Sequence, residues 1–184
     1  MKINDNQMTT FQKLTLVFLR LAIGWHFLYE GLVKLANPNW TSAGYLLDSA
    51  GFMKPLFISL ATNPGVLKVV DILNVWGLIL IGIGLILGAF TRVAVVSGIV
   101  LMIFYYLSHP PFVGMKYALP SDGSYLVVNK MVIEALALLV LLVFPTWKEW
   151  GVDRWVGGRR SAVSGHRSKI NDLKTKNQEP GTRN

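Results

Sequence analysis

Apolar runs long enough to cross a bilayer, about 20 residues each, recur along this chain between clusters of Gly, Asn and Pro. Four stretches stand out: 14–35, 69–90, 92–107 and 127–144. The second is the most uniformly apolar, VVDILNVWGLILIGIGLILGAF, and the third is short unless it takes in Thr91 and Ser108. Arg20, His26, Glu30 and Lys34 interrupt the first. It reads as a retained helix rather than a cleaved signal peptide, because bulky apolar residues continue past Gly24 and Gly31 and no A-x-A site follows. Residues 36–68 place Tyr45, Leu46, Phe52, Phe57 and Leu60 between two Asn-Pro pairs. That pattern predicts one or two short amphipathic helices, with Thr41 or Ser42 as the first cap. The expectation is an all-α integral membrane protein: a four-helix bundle over residues 1–160 with a short amphipathic helical outer loop.

Composition sharpens this. Of 184 residues, 52% are hydrophobic and 15% charged, and mean hydropathy is +0.44, where a soluble protein carries roughly 25% charged residues. The absence of cysteine excludes a disulfide scaffold, a thiolate metal site, a cysteine-held iron–sulfur cluster, covalent c-type haem and a cysteine nucleophile. The net charge of +8 is unevenly distributed. Lys2 and Lys13 precede the first span, Arg92 sits in the turn between the second and third, and nine Lys and Arg lie between Lys148 and Arg183. The two longer loops carry only Lys54, Lys68 and Lys116. By the positive-inside rule both termini are cytoplasmic, in the inner membrane, and loops 36–68 and 108–126 face outward. Residues 161–184 read as a basic disordered cytoplasmic tail, and without interleaved aromatics they do not suggest a nucleic-acid partner.

Charged groups within a membrane cost about 2.5–3.5 kcal/mol each near its centre, so they are candidates for function. At 1.5 Å per residue, antiparallel helices bring one layer of polar residues to the outer half of the bundle. The first contributes His26, Glu30 and Lys34, the second Asp71 and Asn74, the third Tyr105, Tyr106 and His109, the fourth Asn129, Lys130 and Glu134. The inner half holds only Arg20 and Ser97. Spacings of four put His26, Glu30 and Lys34 on one face, and Lys130 and Glu134 on another. Two readings follow: ion pairs that tie helices together, or a polar pocket opening outward.

Trp40, Tyr45, Tyr125, Trp147, Trp150 and Trp155 read as interface anchors. Trp25 and Trp76 lie within spans, where an aromatic wall beside polar groups would suit a flat ring such as a quinone. Gly84 and Gly88 form a GxxxG pair, and Gly24 and Gly31 give the first helix a smooth stripe. His26 and His109 differ too much in depth for bis-histidine haem, and no metal-ligand spacing is present.

The string LRLAIGWHFLYEGLVKLANPNW, residues 19–40, resembles the first helix of DoxX/DoxD-like membrane proteins, through Arg20, Gly24, Phe27, Gly31 and Lys34. WTSAGYLL, the glycine-rich second helix and Thr91–Arg92 are similar to the DoxD branch, and the likeness spans roughly residues 14–145. DoxD is the small membrane subunit of an archaeal thiosulfate:quinone oxidoreductase; other DoxX-like members are tied to redox stress or have no assigned activity. The resemblance implies a quinone-linked subunit with no covalent cofactor. In that reading Glu30, His26 and Glu134 relay protons, and Lys34 or Lys130 stabilises a quinone carbonyl or an anionic substrate. Arg20, Trp25, Asp71, Asn74 and Tyr105 complete the binding set. Expected partners are membrane lipids, a quinone, and a second subunit or a second copy of the chain. The alternative is a non-catalytic scaffold that holds a redox or envelope protein through its outer loop. A transporter fits less well, because four helices are few and broken helices are absent.

Overall fold

The computed structural model describes residues 8–119 and 126–144. The tail at 161–184, Tyr125, Trp147, Trp150 and Trp155 lie outside the described residues. Six helices appear in order: α1 (Thr10–Ala36), α2 (Ala43–Leu47), α3 (Lys54–Thr62), α4 (Pro64–Leu87), α5 (Thr91–Ser108) and α6 (Lys130–Val143), with no strand among the described residues.

Helices α1, α4 and α5 are long and apolar enough to cross a membrane, α4 being the most apolar of the three. The 14 residues of α6 span about 21 Å, short of the roughly 30 Å hydrocarbon core. The expected fourth span from residue 127 is therefore shorter as a helix, and the reason is local. Leu126 sits at φ 65, and Asn129 accepts a hydrogen bond from the Val132 amide at 3.2 Å, which caps α6.

Caps also set the other boundaries. Thr9 and Gln12 form a reciprocal capping box, so α1 starts four residues before its apolar run. Asn63 caps α4 through the amides of Gly65 and Val66, with Pro64 pre-set in the first turn. Gly88 ends α4 in the left-handed region at φ 66. Its amide and that of Ala89 both donate to the Gly84 carbonyl. Gly88 thus serves as the cap of α4, and Gly84 lets Ala94 of α5 approach, its Cβ 3.1 Å from where a Gly84 Cβ would lie.

Close packing between α1 and α4 comes instead from Gly24, Gly31 and Gly82. A Cβ at Gly82 would lie 2.5 Å from the Leu28 nitrogen and 2.7 Å from the Gly24 oxygen. In lipid, small residues that let backbones approach supply the packing that the hydrophobic effect supplies in water. Helix α4 also packs on α5, α5 on α6, and α6 back on α1. Phe27, Leu85, Val95, Leu138 and Leu141 fill the space they share. Gly98 of α5 leaves room there, with Leu138 Cδ1 3.0 Å and Phe27 Cζ 3.5 Å from where its Cβ would be.

The segment after residue 36 does form two short helices. Ser42, the residue before α2, does not cap it with its side chain. Its hydroxyl instead donates to Asp71 of α4, whose carboxylate also accepts from the Ser42 amide at 2.8 Å and the Thr41 hydroxyl at 2.9 Å. Asp71→Ala leaves those donors without their charged acceptor, at about 2 kcal/mol. We expect the thermal midpoint in detergent to fall by about 5 °C, with faster proteolysis around residues 37–42; an unchanged midpoint would show that the clamp contributes nothing.

Candidate functional site

A cavity of about 120 Å³ lies among the C-terminal halves of α1 and α5, the middle of α4 and the first turns of α6. Its polar wall consists of His26, Glu30 and Lys34 from α1, Tyr105 from α5, and Lys130 and Glu134 from α6. Phe27, Leu78, Met102 and Met131 close it with apolar surface. The fourfold spacing on α1 stacks its three polar residues on the side that meets α6.

Charge is arranged in pairs. Lys34 Nζ lies 3.0 Å from Glu30 Oε2, and 5.7 Å from the centroid of the Trp40 ring, a cation–π distance. His26 Nε2 lies 3.8 Å from Glu134 Oε2, bridging α1 and α6. Two carboxylates and two ammoniums share this space, and their opposite charges keep burial tolerable. Asn74 is one layer back: its amide donates to the Tyr105 hydroxyl at 2.7 Å, fixing that ring at the cavity edge. Such a site offers hydrogen-bond donors for a carbonyl and groups able to exchange protons, beside an apolar wall.

The DoxX family model matches residues 15–110, over half of the chain. The chain belongs to the DoxX family. No curated protein and no solved structure matches it. In this DoxX protein the matched segment carries the α1, α4 and α5 walls of the cavity. Lys130, Met131 and Glu134 come from beyond it.

Six of the ten expected site residues of this DoxX chain therefore meet in one place: His26, Glu30, Lys34, Tyr105, Lys130 and Glu134. The other four do not line it. Arg20 is buried in α1, ten residues and about 15 Å along the axis from Glu30. Asp71 is engaged by Thr41 and Ser42. Asn74 acts through Tyr105. Trp25 is 60% exposed and stacks on Tyr29, ring centroids 6.4 Å apart. Trp76 is 51% exposed, so neither indole forms an aromatic wall to the cavity.

A second polar knot escaped the sequence reading. The His109 ring stacks on Tyr45 at 3.9 Å between centroids and lies 4.7 Å from Tyr117. Its Nε2 is 3.7 Å from Asp48 Oδ2. Asp48 in turn accepts from the Ala118 and Leu119 amides at 2.9 Å each, and Tyr117 donates to the Pro110 carbonyl at 2.7 Å. Tyr45 is thus an internal packing residue, not an interface anchor. Its hydroxyl reaches the Tyr105 carbonyl at 3.3 Å, and burial, with the other tyrosines, pushes its phenol well above the ordinary 10.0. Burial pulls the His109 imidazole below its ordinary 6.5, and the Asp48 carboxylate resists without cancelling the effect. Two backbone amides, with help from His109, hold Asp48 below the usual 3.8. Pro110–Pro111 after His109 was the one local sign of a fixed loop.

Proposed function

We propose that this DoxX protein is the membrane subunit of a quinone-linked oxidoreductase, and that the cavity holds the quinone head group. In this reading α6 and the chain around it complete a four-helix transmembrane bundle, both termini are cytoplasmic, and the cavity lies toward the outer face of the inner membrane. The observation that carries the reading is the meeting of two carboxylates, two ammoniums, an imidazole and a phenol on one small cavity. Groups of that kind are retained inside a bilayer at a cost that a structural pair alone does not require.

The residues present fit a quinone ring. Lys34, Lys130 and Tyr105 donate hydrogen bonds to its carbonyls, and Phe27, Leu78 and the methionines cover its faces. A bound quinone supplies a two-electron, two-proton acceptor. Glu134 and the adjacent His26, 3.8 Å apart, are the groups that hold and pass a proton. Glu30 keeps Lys34 oriented into the site.

The test is purification in mild detergent, mass spectrometry of co-purifying quinone, and titration with short-chain quinones. Glu30→Gln removes the charge that orients Lys34, about 1.5 kcal/mol, and should weaken quinone binding about tenfold. Unchanged affinity removes the basis of the reading. A co-purifying protein partner that survives substitutions in the cavity, and is lost when part of loop 36–68 is deleted, favours the scaffold alternative.

A further inference from the structure

Beside the polar cavity lies a larger cleft of about 290 Å³ between α5 and α6. Its walls are apolar: Ile99 and Ile103 on one side, Ala135, Leu136 and Leu139 on the other. Tyr106 presents its ring to the cleft and spends its hydroxyl on the Val127 carbonyl at 3.0 Å, so the phenol brings no unmet polar demand. Met102 and Met131 line both spaces. The two are therefore neighbours across a pair of unbranched thioether side chains, which change rotamer readily. From Met131 to Leu139 the cleft runs along α6 for about 12 Å, away from the polar groups.

We propose that this cleft seats the isoprenoid tail of the quinone whose head occupies the polar cavity; the inference rests on the function proposed above and adds the ligand's second half. Continuity is the first argument: a ligand entering by the methionine pair has its polar end among Lys34, Lys130 and Glu134 and its remainder against Ile103, Ala135 and Leu139. Charge is the second. The cavity's two ammoniums stand beside two carboxylates, which suits a neutral head and opposes an anionic lipid phosphate. Ala135 sets the depth of the cleft, being the smallest side chain on its α6 wall.

The experiment compares two probes with the same head, ubiquinone-0 and ubiquinone-2, by quenching of intrinsic tryptophan fluorescence in identical nanodiscs. Wild-type protein should prefer the tailed probe by about a hundredfold. Ala135→Trp fills the cleft and should reduce that preference at least tenfold, while affinity for ubiquinone-0 stays within about twofold, which also certifies the fold. Ile103→Trp, from the opposite wall, should do the same. Partition into the bilayer is common to all variants and cancels in the comparison. An unchanged preference in both variants with ubiquinone-0 still bound overturns the tail assignment and leaves the head-group reading standing. Absence of saturable binding of either probe by the wild type overturns that reading and this one with it. A co-purified phospholipid that ubiquinone-2 fails to displace in native mass spectrometry also overturns the tail assignment.

Discussion

Replacing Gly82 with alanine should destabilise the protein by about 3 kcal/mol, at the upper end of ordinary overpacking costs. The new Cβ would sit 2.5 Å from the Leu28 nitrogen, 2.7 Å from the Gly24 oxygen and 2.7 Å from Leu28 Cβ. Two of those atoms are backbone, so no rotamer change relieves the clash and the helices themselves must separate. Gly24→Ala is a milder case, because its nearest neighbour is a side-chain carbon, Ile86 Cγ1, at 2.9 Å. Gly77, on the same helix, has nothing within 4 Å of its would-be Cβ. Alanine there should be neutral or stabilise by up to about 1 kcal/mol through helix propensity. Reversible unfolding in mixed micelles measures all three. Equal stabilities for the Gly82 and Gly77 variants would refute the close-contact account of the α1–α4 seam.

Removing the Asp48 carboxylate should free the loop that follows α5. Asp48→Ala deprives the Ala118 and Leu119 amides of their acceptor, at about 2 kcal/mol. Amide hydrogen exchange at 118 and 119 should then quicken about thirtyfold. Acidification should act in the same direction. The closed loop keeps His109 below its ordinary 6.5, so as pH falls past that value the opened loop takes up the proton first and closure weakens. Asp48 is held below 3.8, so its contribution persists above that value and fades as pH falls further. His109→Phe retains an aromatic ring between Tyr45 and Tyr117 without titrating. It should flatten the pH dependence of the protection factor, exchange taken relative to the intrinsic amide rate at each pH, between about pH 7 and about pH 5; a protection factor that still falls on acidification in that variant would remove His109 from the explanation.

Much of this architecture is written in one-dimensional patterns, and the departures have identifiable causes. Hydropathy locates α1, α4 and α5, but not their ends, because Thr9 with Gln12 and Asn63 with Pro64 set those through hydrogen bonds and fixed backbone angles. Asn129 looks like a member of the polar layer by depth and is used as a cap. Depth along a helix is readable from residue number; direction around it is less so. His26, Glu30 and Lys34 share a face through their spacing, whereas Trp25, one residue from His26, is turned by about 100° and lies outside. Asp71 has the right depth and the wrong direction, toward Thr41 and Ser42. The Asp48–His109 contact joins residues 61 positions apart, and no local periodicity announces such a pairing. Gly82 likewise looks no different from Gly77 or Gly84 until α1 is laid against α4.

The glycine seam has a mechanical consequence. With backbone nearly touching backbone, α1 and α4 cannot slide or part without first giving up those contacts. Helix α6 seats Leu138 against Gly98 of α5 and has a cleft along one flank. The polar cavity therefore has Glu30 and Lys34 on its glycine-tightened side and Lys130 and Glu134 on the side that the cleft flanks.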